Sequence, residues 1–452
     1  MTIDKTTQVR DYVLSLLEKG EIHGGEKVQG ARDIATKLGI SFLKVQQAME
    51  SLAKDGILEI RGRLGTFVQP NWNERILHEN IGIYREISHL PWLSGLQDIM
   101  EKHIPGLRFT YSFGKGMLEM KTTLYVQEHY NEYMDLSEIL EEVYPDQSDF
   151  FEDVFAPLQV NGKQIGIPFS FSPRVIFYNV DLFKKAGCEI PEKDWTWEQF
   201  IATIRKLKAH LPDNRIINWH LMPYYWLNFV MRAGGSLFGP ESNKLINIDS
   251  PKTQQGLEYF AQLGNEINHA DCGVDYSEAF VAGEAAMVLH GRQFRNYLEL
   301  NNMNSWQAVP MPIMLGGEDV TSQATDILCI RKSCTNMALA KEYIRLMLSE
   351  EVQDYIGQQK YSIPIRKSST FKSIDLTDPR DWVFATEMGK LKTEQIIEYP
   401  FLFDFVARGV NCLLENGDDI KEGTAKLADS ARVYMDIHSR SNAGVLSKER
   451  AV

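Results

Sequence analysis

"SFLKVQQAMESL", Ser41–Leu52, lies between "ARDIATKLGI" (31–40) and "AKDGILEIRGRLGTFV" (53–68). Its apolar residues Val45, Ala48, Met49 and Leu52 recur at i, i+3, i+4 and i+7, the spacing of one buried helix face. Ser41 stands at the N-cap, where a hydroxyl can accept a hydrogen bond from a free backbone N–H. Just upstream, residues 31–38 predict a short helix with Ile34, Ala35 and Leu38 turned inward and Gly39 as its stop. An earlier helix over residues 6–19 places Val9, Val13, Leu16 and Leu17 on one face and ends at Gly20. Downstream, "ILEI", the tight "RGRLG" and "TFV" predict a two-stranded hairpin.

Three helices followed by a hairpin make the winged helix-turn-helix plan, an α+β arrangement. In that plan the start of the third helix enters the DNA major groove. Its outward positions include Phe42, Lys44, Gln46 and Gln47, beside the cap residue Ser41. Lys44 suits phosphate or guanine, Gln47 suits adenine, and Phe42 suits a thymine methyl. Arg32 at the start of the second helix, with Arg61 and Arg63 on the wing, suits phosphate.

Charge confines any such contact to this segment. The 452-residue chain has a formal net charge of −13, while residues 1–70 carry ten Lys/Arg against nine Asp/Glu. An acidic remainder repels phosphate, so DNA is expected at the N-terminal seventy residues alone. Composition is that of ordinary globular domains, 44% hydrophobic and 24% charged. The five cysteines (Cys188, Cys272, Cys329, Cys334, Cys412) include no C-x-x-C pair and predict reduced packing residues. The histidines show no metal-ligand spacing, and no metal is expected. The first residues form an amphipathic helix in place of a signal peptide, and no apolar run reaches the roughly 18 residues of a membrane span. A cytoplasmic location is the expectation.

Residues 6–68 resemble the DNA-binding domain of the GntR family of bacterial transcription regulators. The runs that carry the resemblance are "VQGARDIA", "LGISFLKVQQAM" and "RGRLGTFV". Gln29-Gly30 replaces the family's Pro-Ser, and Phe42 replaces its helix-three arginine, the usual base-reading residue. The resemblance implies an operator DNA partner.

After a polar linker, residues 71–80, strand-like and helix-like segments alternate and predict an α/β region over residues 81–452 with a parallel sheet. Three stretches, Phe150–Leu207, Arg232–Leu263 and Glu278–Phe294, are similar to the extracellular solute-binding proteins of ABC importers, the carbohydrate-binding group that includes maltose-binding protein. The motifs are "GKQIGIP", "YNVDLFKKAG", "WEQF", "GG" and "FVAGEAAMVLHG". The resemblance implies a two-lobed α/β periplasmic-binding-protein-like (type II) domain with a ligand cleft between the lobes.

Such clefts sit where strands end and loops begin, which singles out four segments. "PFSFSPR" offers Ser170, Ser172 and Arg174. "WHLMPYYWLNF" is dense in rings whose faces pack on sugar C–H groups. There Tyr224 matches the family's sugar-stacking tyrosine and Trp226 is a second candidate. "LHGRQF" offers His290, Arg292 and Gln293, the last where the family often has a stacking tryptophan. "SQATDILCI" offers Asp326, for hydroxyls or a cation.

The expected whole is a multidomain, ligand-responsive transcription regulator, not an enzyme, with no cofactor. It would bind a saccharide, act as a homodimer because operators pair half-sites, and have no membrane partner. One alternative is a GntR-type head on a pyridoxal-phosphate aminotransferase-like domain; no convincing Schiff-base lysine setting supports it. The other is a solute-binding protein without regulatory DNA binding.

Overall fold

A computed structural model describes residues 5–18, 20–72, 81–83, 92–104, 107, 109–110, 118–160, 162–239, 245–268, 276–334, 336–393 and 402–449. Packing divides the chain into two compact units. The first is Met1–Lys121, Glu138–Pro145 and Leu328–Tyr355; the second is Thr122–Ser137, Asp146–Ile327 and Ile356–Val452. The expected linker is outside the described residues from position 73 onward.

In the first unit, α1 (Lys5–Glu18), α2 (Ala31–Leu38) and α3 (Phe42–Lys54) precede β1 (Leu58–Arg61) and β2 (Gly65–Val68). Val9, Val13, Leu17, Ile34, Val45, Ala48, Met49, Leu52 and Val68 form their common core. Ala35 and Leu38 pack at its edge. This is the face that helical spacing predicts, because a 3.6-residue repeat brings those side chains to one side. The strands pair antiparallel, Leu58 opposite Val68 and Arg61 opposite Gly65. Gly65 has φ +109°, and a Cβ there would lie 2.6 Å from Lys27 Cε, so this turn of the wing requires glycine. Further along, Ile81–Ile83 runs parallel to both Phe109–Thr110 and Leu118–Thr122. The Leu118–Thr122 strand buries an ion cluster in which Glu119 meets Arg331 at 2.9 Å and Lys121 at 3.6 Å.

The second unit departs from the parallel expectation. Val175–Asn179 is the middle of a three-stranded sheet, antiparallel to Met287–His290 on one side and Trp306–Val309 on the other. A second set of strands runs in the order Ile363–Pro364, Ile167–Pro173, Thr321–Ile330, the first two antiparallel. A single residue, Arg174, links Ile167–Pro173 to Val175–Asn179. Around the three-stranded sheet, Phe183, Trp195, Trp197, Phe200, Trp226, Phe229 and Phe260 build an aromatic-rich core. Thr196 caps the Trp197–Lys208 helix in a capping box with Gln199. Leu402–Asn416 and Ile420–Glu449 add Val406, Val410, Leu414, Ala428 and Ala431 to the same core.

Among the described residues Cys188, Cys329, Cys334 and Cys412 are not joined in disulfides, and no helix is long and apolar enough to cross a membrane.

Candidate functional site

The surface expected to face a DNA groove is built by α3 and the wing. Phe42 is 47% exposed, and Gln46 and Gln47 are exposed. Gln46 donates to Glu50 one turn on at 3.3 Å. Lys44 is half-buried, while Arg32 and Arg63 are exposed. One expectation needs correction, and a second gains a competitor. Ser41 has the backbone of an N-cap, but its hydroxyl bonds no helix N–H; its carbonyl accepts from Val45 at 3.2 Å. The N–H groups of the first turn of α3 therefore lack a side-chain cap. Arg61 reaches back to Glu59 at 2.8 Å and lies 4.6 Å over the Phe67 ring. The pair is solvent-exposed, so it competes with phosphate for this charge without removing it.

The polar groups of the second unit lie along Ile167–Pro173 and Thr321–Ile330 and at the end of Met287–His290. On Ile167–Pro173 the fully buried Ser170 donates to Asp326 Oδ2 at 2.6 Å. Two residues on, and so on the same strand face, the Ser172 hydroxyl accepts the Arg292 N–H at 2.6 Å. Burial pushes the Asp326 carboxyl up to about 6, against the pull of the Ser170 hydrogen bond. Ser322, four residues before Asp326, bonds Asn228 through its hydroxyl. Asn228 donates to the Tyr224 carbonyl at 2.5 Å and so ties this strand to the Pro223–Arg232 helix.

Beyond the strand, the Arg174 guanidinium lies 5.1 Å over the Tyr224 ring. Tyr224 is 37% exposed and packs on Tyr225, ring centres 4.7 Å apart. Asn218 holds the Tyr225 hydroxyl at 2.6 Å. Val175, next to Arg174, pairs with His290. His290 Nδ1 is 3.2 Å from the Gly291 carbonyl; because a carbonyl only accepts, that nitrogen carries the proton. Burial, and then the Arg174 charge, push His290 down to about 4. The ring is neutral near pH 7, with Nε2 left as an acceptor.

Gly291 lets this corner close. A Cβ on it would lie 2.1 Å from Gln293 Oε1 and 2.9 Å from Ser172 Oγ. The buried acceptor Gln293 Oε1 has no partner among the described residues, and the same holds for Gln323 Oε1 and Thr325 Oγ1. A buried polar atom without a partner costs free energy that a bound hydroxyl can recover.

Two expected ligand residues belong to the structure instead. Trp226 is completely buried and its Nε1 donates to Asn411 at 2.9 Å. It faces the core because Tyr224 and Trp226, two apart on a helix, point about 200° apart. Arg292 is completely buried, 2.9 Å from Asp381 and 3.1 Å from the Ser362 carbonyl. Sequence reasoning missed Asn228, Ser322, Gln323 and Thr325. The two-residue alternation through Ser322 and Asp326 was the available signal for Ser322; nothing local marked Asn228.

The fold and this constellation define a solute-binding protein of the type II periplasmic-binding class, carrying a winged helix-turn-helix. Residues 121–379 match the family model of the bacterial extracellular solute-binding proteins, and residues 5–68 that of bacterial regulatory proteins, gntR family. The chain belongs to the bacterial extracellular solute-binding protein family, and its head is of GntR type. A putative binding protein of Brucella abortus is 24% identical over 237 residues, 48% of this chain and 54% of that protein. The chain thus spans about half the length of the curated relatives it matches first. A Listeria monocytogenes ABC substrate-binding protein in complex with cycloalternan superposes with a TM-score of 0.67 at 17% identity, over 79% of this chain and 98% of that one. A Thermotoga lettingae ABC transporter solute-binding protein bound with α-D-tagatose has the same TM-score and identity, over 78% and 98%. At these identities the likeness is one of fold.

Proposed function

We propose that this protein is a ligand-responsive transcription regulator. Its winged helix binds an operator, its solute-binding module binds a saccharide, and ligand occupancy alters operator affinity. The reading places it in the cytoplasm with the DNA, as a homodimer on paired half-sites, and assigns it no catalytic reaction.

One observation carries the reading. A single chain joins an exposed recognition-helix face, Phe42 to Gln47, to a cluster of stacking and hydrogen-bonding groups of the kind that bind polyols: Tyr224, His290, Gln293, Ser170 and Asp326. An importer's binding protein has no use for a DNA-binding head. The two solved structures named above hold saccharides, which supports that solute class. A head–linker–module arrangement of 1–70, 71–80 and 81–452 gives the two parts a means of coupling.

The test is operator binding by fluorescence anisotropy, using DNA flanking the protein's own gene, with and without saccharides from a library. A ligand that changes operator affinity by some factor must have its own affinity changed by the same factor when operator is present. Coupling of about 1–3 kcal/mol is the typical range. Ligand binding confirmed by calorimetry, with operator affinity unmoved, would remove the regulatory reading.

A further inference from the structure

Arg174, half-buried, differs from the fully buried arginines of its unit. Arg232 holds Asp319 at 2.9 Å and three backbone carbonyls. Arg292 holds Asp381, and Arg295 holds Asp378 and Asp381. Half-buried arginines are paired as well, Arg366 with Asp149 and Arg380 with Asp378. Among the described residues no carboxylate and no carbonyl meets the Arg174 guanidinium. Its one close partner there is the Tyr224 ring face.

A guanidinium partly withdrawn from water without an anion loses hydration that a partner must replace. A tyrosine face recovers part of that cost, roughly 0.5–2 kcal/mol depending on desolvation, and leaves all five N–H donors open. The neighbouring groups show what is missing. His290, on the strand residue paired with Val175, is a neutral acceptor and adds no second cation. One unpaired positive charge therefore stands beside the exposed ring that would stack a sugar, amid acceptors suited to sugar hydroxyls.

We infer that the solute of this module is an anionic saccharide, a sugar bearing a phosphate ester or a carboxylate, whose anionic group is held by the Arg174 guanidinium while Tyr224 stacks on the ring. The inference rests on the saccharide reading above and narrows it. A planar fork of N–H donors matches two oxygens of a phosphate or carboxylate at once. Burial holds the guanidinium below its ordinary range, and the two tyrosines act against that; an anion would do so far more strongly. His290 should also titrate higher in the complex, since a bound anion offsets the Arg174 charge that depresses it. Among the described residues Arg174 is the charged group that acts on His290.

The test uses the full chain and matched probes: glucose and glucose 6-phosphate, maltose and maltose 6′-phosphate, glycerol and glycerol 3-phosphate, with glucuronate as the carboxylate arm. Binding is read by calorimetry and thermal shift for the wild type, Arg174→Gln and Arg174→Lys. Expected is an anionic probe that binds the wild type roughly tenfold or more tighter than its neutral parent, the scale of a charge-assisted hydrogen bond. That preference should collapse in Arg174→Gln and survive in part in Arg174→Lys, which keeps the charge and loses the fork. Phosphate and carboxylate arms separate the two sources of the anion. Neutral parents binding as tightly as their anionic partners would overturn the anion assignment and leave the saccharide reading standing. An anionic preference unchanged in Arg174→Gln, with the apo melting temperature preserved, would reduce Arg174 to a support for Tyr224. Silence from every probe would overturn both readings.

Discussion

Replacing Asp326 by asparagine should stabilise the protein at alkaline pH and do little at acid pH. The carboxyl is pushed by burial from an ordinary 3.8 up to about 6. A raised folded-state value means the folded protein binds the proton more tightly than the unfolded chain. No penalty exists below about 3.8, and it grows as pH rises through about 6 and ionises a shielded carboxylate. A shift of roughly two units at 1.36 kcal/mol each sets an upper bound of about 3 kcal/mol. Asp326 keeps some access to solvent, so about 1–3 kcal/mol is the working range. Asparagine retains an acceptor for the Ser170 hydroxyl, so the hydrogen bond at 2.6 Å survives the change. At roughly 2 °C per kcal/mol for a unit of this size, the variant should melt about 2–6 °C above the wild type at pH 8. At pH 4.5, still above the unfolded-chain value of 3.8, the gain should fall to about a third of that. Calorimetry at both pH values, without ligand, measures this. A variant that melts lower at pH 8, or whose gain is the same at both values, would refute the argument that ionising Asp326 costs stability.

On the DNA face, Arg63→Ala should weaken operator binding and lower the salt slope by about one counterion, whereas Arg61→Ala, already paired with Glu59, should change both less; equal losses would contradict the assigned pairing. Tyr224→Ala should cost a bound saccharide about 0.5–1.5 kcal/mol beyond the lost area, read by calorimetry, and lower the apo stability by only the roughly 0.5–2 kcal/mol of its contact with Arg174. Trp226→Ala should instead destabilise the unit by about 3–5 kcal/mol, because the ring is wholly buried and its Nε1 bonds Asn411; a stable variant with impaired binding would return Trp226 to the ligand. Gly291→Ala should weaken ligand binding, since its new methyl would displace the Gln293 amide; unchanged affinity would remove Gln293 from the site.

The sequence alone determined the winged helix and the family of the module. Both are written in short-range patterns: the 3.6-residue spacing of Val45, Ala48, Met49 and Leu52, the glycines of the wing, and the runs "YNVDLFKKAG" and "FVAGEAAMVLHG". Periodicity reports which face is buried because each helix meets one core, and the head has such a core of its own. Alternating segments also announced an α/β region, and the parallel pairing of Ile81–Ile83 follows that expectation. The antiparallel setting of Val175–Asn179 does not, because pairing direction depends on partners more than a hundred residues away. The same distance hid the roles of individual polar residues. Arg174 and Arg292 look alike as sequence, two arginines near strand ends. Only the tertiary structure brings Asp381 to one, 89 residues along the chain, and the face of Tyr224 to the other. Whether a charge is spent on the fold or kept for a ligand is set by which long-range partner reaches it, and no local pattern encodes that.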